Sequence, residues 1–236
     1  MGRLLLVLLC ALIPLGAVGA QAEVECAPPP AGISVAYSYY VGLGDAQLAR
    51  QAYAAAVVHY TCALQLDPGY APAYARRGYA QINLGDGDAA MNDYNRALEL
   101  DEALVEGYIN RGALYVQLGN FGLAIGDFTL AAQLDPTSVS ALNNRAIVHA
   151  IEGNYAEAIV DLEAAIALDP DVAHPYATLA AVYSALAAEN YQRFVAVSGS
   201  VARLPAGTPP EVLVAIDDSL RNGNYTFWLT LVTPGE

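Results

Sequence analysis

VEGYINRGALYVQLGNFGLAIGDFTLAAQLDP, residues 105–136, decides the fold. Moved by 34 residues in either direction, this stretch meets its own pattern. Gly78, Gly112 and Ala146 coincide, as do Ala56, Ala90, Ala124 and Ala158, and Ala63, Ala97, Ala131 and Ala165. Leu66, Asp67 and Pro68 return as Leu134, Asp135, Pro136 and as Leu168, Asp169, Pro170. A period of this length marks an array of helix pairs, each unit burying its apolar side against the next.

The recurring residue types suit two close-packed helices. Gly or Ala at the eighth position of a unit, with Ala at the twentieth and twenty-seventh, removes bulk where the helices touch. Larger residues there would cost about 1–3 kcal/mol. Gly85-Asp86, Gly119-Asn120 and Gly153-Asn154 fall between the helices. There glycine supplies a left-handed stop, and Asp or Asn caps the next helix. Asp-Pro then ends the second helix.

The units run 37–68, 71–102, 105–136 and 139–170, followed by a degenerate fifth at 173–207. Gln51 replaces the first turn glycine, and Glu102 stands where the other units have proline, which softens that boundary. Gly42 and Gly44 predict a frayed first helix. In the fifth unit Tyr176, Leu179, Ala180 and Tyr183 suit a first helix. The register then slips, because Asn190-Tyr191 repeats Asn154-Tyr155 at a spacing of 36.

Over residues 37–183 this constellation resembles the tetratricopeptide repeat family. The resemblance implies an all-α, right-handed superhelical solenoid of helix-turn-helix units whose first helices line a concave, peptide-holding face. Carried over position by position, that face takes Arg76, Tyr79, Asn83, Glu106, Asn110, Gln117, Ser140, Asn143, Asn144 and His174. The peptide-binding groove is expected at Arg76, Tyr79, Asn83, Asn110, Gln117, Asn143 and Asn144. Asparagine offers both donor and acceptor, so a row of them suits an extended peptide backbone. The bland alternative is a solvated face. Arg77, Arg111 and Arg145, one place further on, read as packed and paired with acidic neighbours on adjacent helices.

The N-terminus reads as an export signal, residues 1–22. Arg3 precedes an apolar run from Leu4 to Leu15, and Ala20, Gln21 and Ala22 form an A-x-A cleavage pattern. An uncleaved membrane anchor is the alternative. Residues 23–36 are a proline-rich linker. Cys26 and Cys62 then remain, either bridged in an oxidising compartment or with Cys62 unpaired in the core. After the array, residues 208–236 read as a capping helix and an extended tail. Thr208 and Glu211 have capping-box spacing, and Val212, Leu213, Ile216 and Leu220 share a face. Residues 225–232 (YTFWLTLV) alternate like a strand. Asn224 opens a glycosylation sequon.

The chain has a net charge of −14, and its ten basic residues are all arginine. That argues against nucleic-acid partners and excludes lysine chemistry. His59, His149 and His174 lie in different units without metal-ligand spacing, and no nucleophile motif occurs. The expectation is a non-enzymatic, cofactor-free interaction module outside the cytoplasm. It would bind a protein or peptide segment and have no membrane span once the signal is removed. The alternative is a structural subunit of an envelope complex that docks through its C-terminal tail or self-associates.

Overall fold

In a computed structural model, residues 26–30 and 35–198 are described. The signal segment, part of the linker, the capping helix, the sequon and the 225–232 stretch lie outside them. The described residues form nine helices: α1 (Ala36–Leu48), α2 (Tyr53–Leu66), α3 (Ala71–Asn83), α4 (Gly87–Leu100), α5 (Val105–Gln117), α6 (Phe121–Leu134), α7 (Val139–Ile151), α8 (Tyr155–Leu168) and α9 (Ala173–Ser198). Each first helix up to α7 has 13 residues and each second helix has 14. Packing is strongest within a pair, then between each second helix and the following first helix. This is an all-α solenoid of helix pairs.

The contact inside each pair is set by one small residue against one large one, sixteen residues apart. A Cβ on Gly112 would stand 2.7 Å from Phe128 Cε1, and one on Gly78 would stand 2.8 Å from Tyr94 Cε1. On Gly44 it would stand 2.5 Å from Tyr60 Cε1. The fourth pair carries Ala146, and there the facing residue is Leu162, which is smaller than an aromatic ring. All four large residues are fully buried. This corrects the expectation of a frayed α1. The helix is continuous, and Gly44 is required by the Tyr60 ring rather than weakening the start.

The turns follow the sequence with two corrections. Gly85, Gly119 and Gly153 adopt positive φ, as anticipated, and Gln51 takes the same conformation at φ 58° despite its side chain. The second boundary is not softened by Glu102. Asp101 is extended like its equivalents, and its carboxylate accepts the N–H of Ala103. Asp67, Asp135 and Asp169 accept from Gly69, Thr137 and Asp171 in the same way. The aspartate therefore stops the helix with or without proline. Among the expected caps, Asp86 accepts from Ala89 N–H, whereas Asn120 and Asn154 make no side-chain cap bond.

Arginine at the seventh position joins three helices in each interior unit. Arg77, Arg111 and Arg145 each donate two bonds of 2.7–2.8 Å to Asp93, Asp127 and Asp161 on their own second helix. The remaining nitrogen donates backward to Thr61, Asn95 or Thr129 on the previous second helix. The aspartates are buried, and the arginines are about one-fifth exposed. Arg111 also lies 5.7 Å and 5.8 Å from the Tyr108 and Tyr115 ring centres. Breaking such a pair by removing one partner costs about 3–5 kcal/mol, because the other charge stays buried.

At the N-terminal end Cys26 and Cys62 form a disulfide with Cα atoms 5.6 Å apart. Beside it the Tyr40 hydroxyl donates to the Ala27 carbonyl. Together they pin the linker to the first pair. At the other end the expected fifth helix pair is absent from the described residues. α9 runs unbroken for 26 residues, through Asn190 and past the point where the first helix of every earlier unit stops. Ala187 and Ala188 stand where Gly119-Asn120 and Gly153-Asn154 make their turns, and alanine continues a helix.

Gly112→Ala should destabilise the protein by about 1–3 kcal/mol in chemical denaturation, since its methyl must displace the Phe128 ring. Adding Phe128→Leu should recover part of that loss, recreating the Ala146–Leu162 pairing. Without recovery, the small-against-large rule would not be what spaces the pairs.

Candidate peptide-binding face

Successive first helices touch one another, α3 with α5, α5 with α7 and α7 with α9. No second helix packs on the next second helix to that extent. The first helices therefore lie on the tighter, inner side of the curve. This is the face that the position-by-position reading selected.

The structure divides the anticipated residues into two groups. Asn110, Asn143 and Asn144 are buried, at 2%, 0% and 0% exposure. They do not form an open row, which corrects the expectation that they present free amides to a peptide. The Thr178 hydroxyl lies 3.0 Å from Asn143 Oδ1, so this side chain joins α7 to α9. Close contact between first helices encloses these side chains. Tyr79 is half-buried, and Asn83 and Gln117 are exposed. The Asn83 amide donates to the Tyr79 carbonyl.

Arg76 is held within a charged cluster. Its Nη1 lies 3.2 and 3.0 Å from the two oxygens of Asp45, and the Tyr60 hydroxyl donates to the same carboxylate at 2.7 Å. Tyr60 is a second-helix residue. Its ring passes the gap left by Gly44, so its hydroxyl reaches Asp45 on the first helix while the side chain stays buried. Burial, then the bond to Asp45, pushes the Tyr60 phenol well above its ordinary range. Tyr94 takes the equivalent path beside Gly78. Its hydroxyl is buried without a hydrogen-bond partner among the described residues, and burial pushes it up likewise.

Glu106, at the start of α5, adds a second carboxylate. Burial raises its carboxyl above the ordinary range; Arg76 opposes the shift and Asp45 reinforces it. Its Oε1 has no hydrogen-bond partner among the described residues. Asp45 and the tyrosine hydroxyls were not among the anticipated face residues. Asp45 lies on α1, before the units that supplied those residues, and the tyrosine rings arrive from second helices.

Glu106 also borders a hollow of about 860 Å³ along the N-terminal ends of α5, α7 and α9. Glu106, Ser140 and His174, the second residues of three successive units, line it with Ile109, Asp135 and Asp169. His174 Nε2 has no hydrogen-bond partner among the described residues, and burial lowers the imidazole's proton affinity. Two hollows of about 430 and 540 Å³ lie between α6 and α8, on the second-helix side. None of the anticipated face residues lines them. Among the described residues there is no group of three or more His, Cys, Asp or Glu able to hold a metal, and no helix is long and apolar enough to cross a membrane.

Comparisons with known proteins agree with this architecture. Models described as TPR repeat match residues 82–119, and models described as tetratricopeptide repeat match 105–138 and 139–172. Residues 82–172 thus match tetratricopeptide repeats. Similar solved structures include the crystal structure of MamA protein, with a TM-score of 0.55 at 18% identity. It covers 74% of this chain and 98% of that one. Another is YrrB, described as a TPR protein with an unusual peptide-binding site, with a TM-score of 0.50 at 25% identity. It covers 58% of this chain and 71% of that chain. No curated protein matches the sequence.

Glu106→Gln should raise the melting temperature at pH 7. A carboxyl whose proton affinity is raised by folding contributes its stability below the unfolded value, and that stability is lost as pH rises through the folded value. The advantage of the variant should vanish near pH 4. An equal advantage at both pH values would show that the carboxylate charge is not what costs stability.

Proposed function

We propose that this tetratricopeptide-repeat chain is an exported, non-enzymatic adaptor that holds an extended peptide or protein segment along its inner face. The observation that carries the reading is the hollow of about 860 Å³ built from equivalent positions of three successive units. A segment lying across it would meet the same kind of position on α5, α7 and α9 in turn. Its lining includes Glu106, Asp135 and Asp169 and no arginine, so a neutral or basic segment is complementary. Tyr79, Asn83 and Gln117 extend the contact surface along the first helices. The likeness to a peptide-binding repeat protein supports this reading.

Full-length protein panned against a random-peptide display library should yield binders enriched in Lys and Arg. Ser140→Trp, which fills the hollow, should weaken those binders at least about tenfold. Val160→Arg, on the second-helix side, should leave them unchanged. Binders insensitive to Ser140→Trp but lost with Val160→Arg would place the site elsewhere.

The export part of the reading rests on the N-terminal pattern and is supported by the Cys26–Cys62 bridge, since such bonds persist in oxidising compartments. Mass spectrometry of protein from its native host should find a chain beginning at Glu23. A chain retaining residues 1–22 would favour the anchored alternative.

A further inference from the structure

α9 has one face that every earlier first helix covers. At the fourth, eighth and eleventh positions, α3, α5 and α7 place residues that are buried or half-buried, and the eighth faces the second helix of its pair. In α9 the same positions are Tyr176, Ala180 and Tyr183. All three are exposed, the tyrosines at 46% and 48%. Leu179, at the position of the paired arginines, packs instead against the core of the fourth pair. α9 therefore contacts α8 and α7 but has no second helix of its own among the described residues.

We infer that residues 208–222 supply this missing second helix, docking on the Tyr176–Ala180–Tyr183 face of the same chain. Thr208 can be set at the cap position held by Asp86, Asn120 and Asn154. Val212 then falls on the alanine row of Ala90, Ala124 and Ala158. Ser219 falls on the second small-residue row, and Leu220 on the row of Leu64 and Leu98. Gly223 falls where Asp101, Asp135 and Asp169 end their helices. The helical stretch so defined, 209–222, has the length of every second helix in the array.

Two pairings support this register. Ile216 falls on the position of Tyr60, Tyr94, Phe128 and Leu162. In the structure glycine faces the aromatic rings, whereas alanine faces leucine. Ala180 therefore calls for an aliphatic partner, and Ile216 is one. Ala215 falls on the row of Asp93, Asp127 and Asp161, opposite Leu179. Where arginine has become leucine, the aspartate has become alanine, so no carboxylate would be buried alone.

The unit differs from the others by an insertion of about twenty residues between its two helices. The insertion is spent partly on the extension of α9. Doubling back from Ser198 to the level of Ala187 requires about 16 Å along the axis and about 10 Å sideways. Residues 199–207 can span about 30 Å, so the connection closes within one chain. The completed pair would shelter the two tyrosines and fix α9, which carries His174, as the end wall of the inner face.

The test is cysteine cross-linking of the full-length protein. Ala180→Cys with Ile216→Cys should form an intrachain link in high yield, read as a monomer on non-reducing gels and located by peptide mapping. Ala180→Cys with Asp217→Cys, which points away in this register, should link at least about tenfold less. Separately, Tyr183→Cys should be protected from maleimide in the full chain and lose that protection when Ile216→Asp is added. A link between two chains would assign the face to a second copy, and equal yields or an unprotected Tyr183→Cys would overturn the register. Neither readout depends on peptide capture by the inner face.

Discussion

The spacing between the two helices of each unit depends on a steric exchange, a missing or minimal side chain on the first helix for a large one on the second. Interiors pack as tightly as organic crystals, so a single methyl group at that contact must be answered by its neighbour. Glycine opposite Tyr60, Tyr94 and Phe128, and alanine opposite Leu162, are two solutions that conserve volume. The alanine rows on the second helices extend the same logic along each seam. Four pairs built alike stack alike, and the curvature of the array follows from that repetition.

The arginine ladder adds direction to this packing. Dispersion between alanine-rich helices tolerates sliding, whereas a guanidinium donating to two oxygens does not. Each interior arginine is tied to its own second helix and also to the one before it. Neighbouring units are thereby held in one register. Among the described residues the ladder ends at Leu43, which has no earlier second helix behind it, and at Leu179, which has no second helix of its own. In these first and last units leucine occupies the arginine position, and the need for a buried charge pair disappears.

On the inner face the same close approach that builds the array limits what remains for binding. First helices come near enough to enclose Asn110, Asn143 and Asn144, so these amides serve inter-unit cohesion. The accessible chemistry shifts toward the helix N-termini, where Glu106, Ser140 and His174 border open space, and toward Tyr79, Asn83 and Gln117. At one end, tyrosines at the ring position bring hydroxyls through the glycine gaps toward Asp45, Arg76 and Glu106. A buried second-helix hydroxyl can thus reach a first-helix carboxylate when the intervening residue is glycine.

Read alone, the chain establishes the first four helix pairs, the alanine seams, the left-handed glycine turns and the packing of Arg77, Arg111 and Arg145. All of these are local or periodic, and a 34-residue repeat displays each of them three or four times. Which first-helix positions stay open emerges only in three dimensions, because it depends on how closely one unit approaches the next. The same holds for the meeting of Cys26 with Cys62 and the reach of Tyr60 to Asp45. Each of these depends on contacts across the stack, which composition and spacing along one chain do not encode.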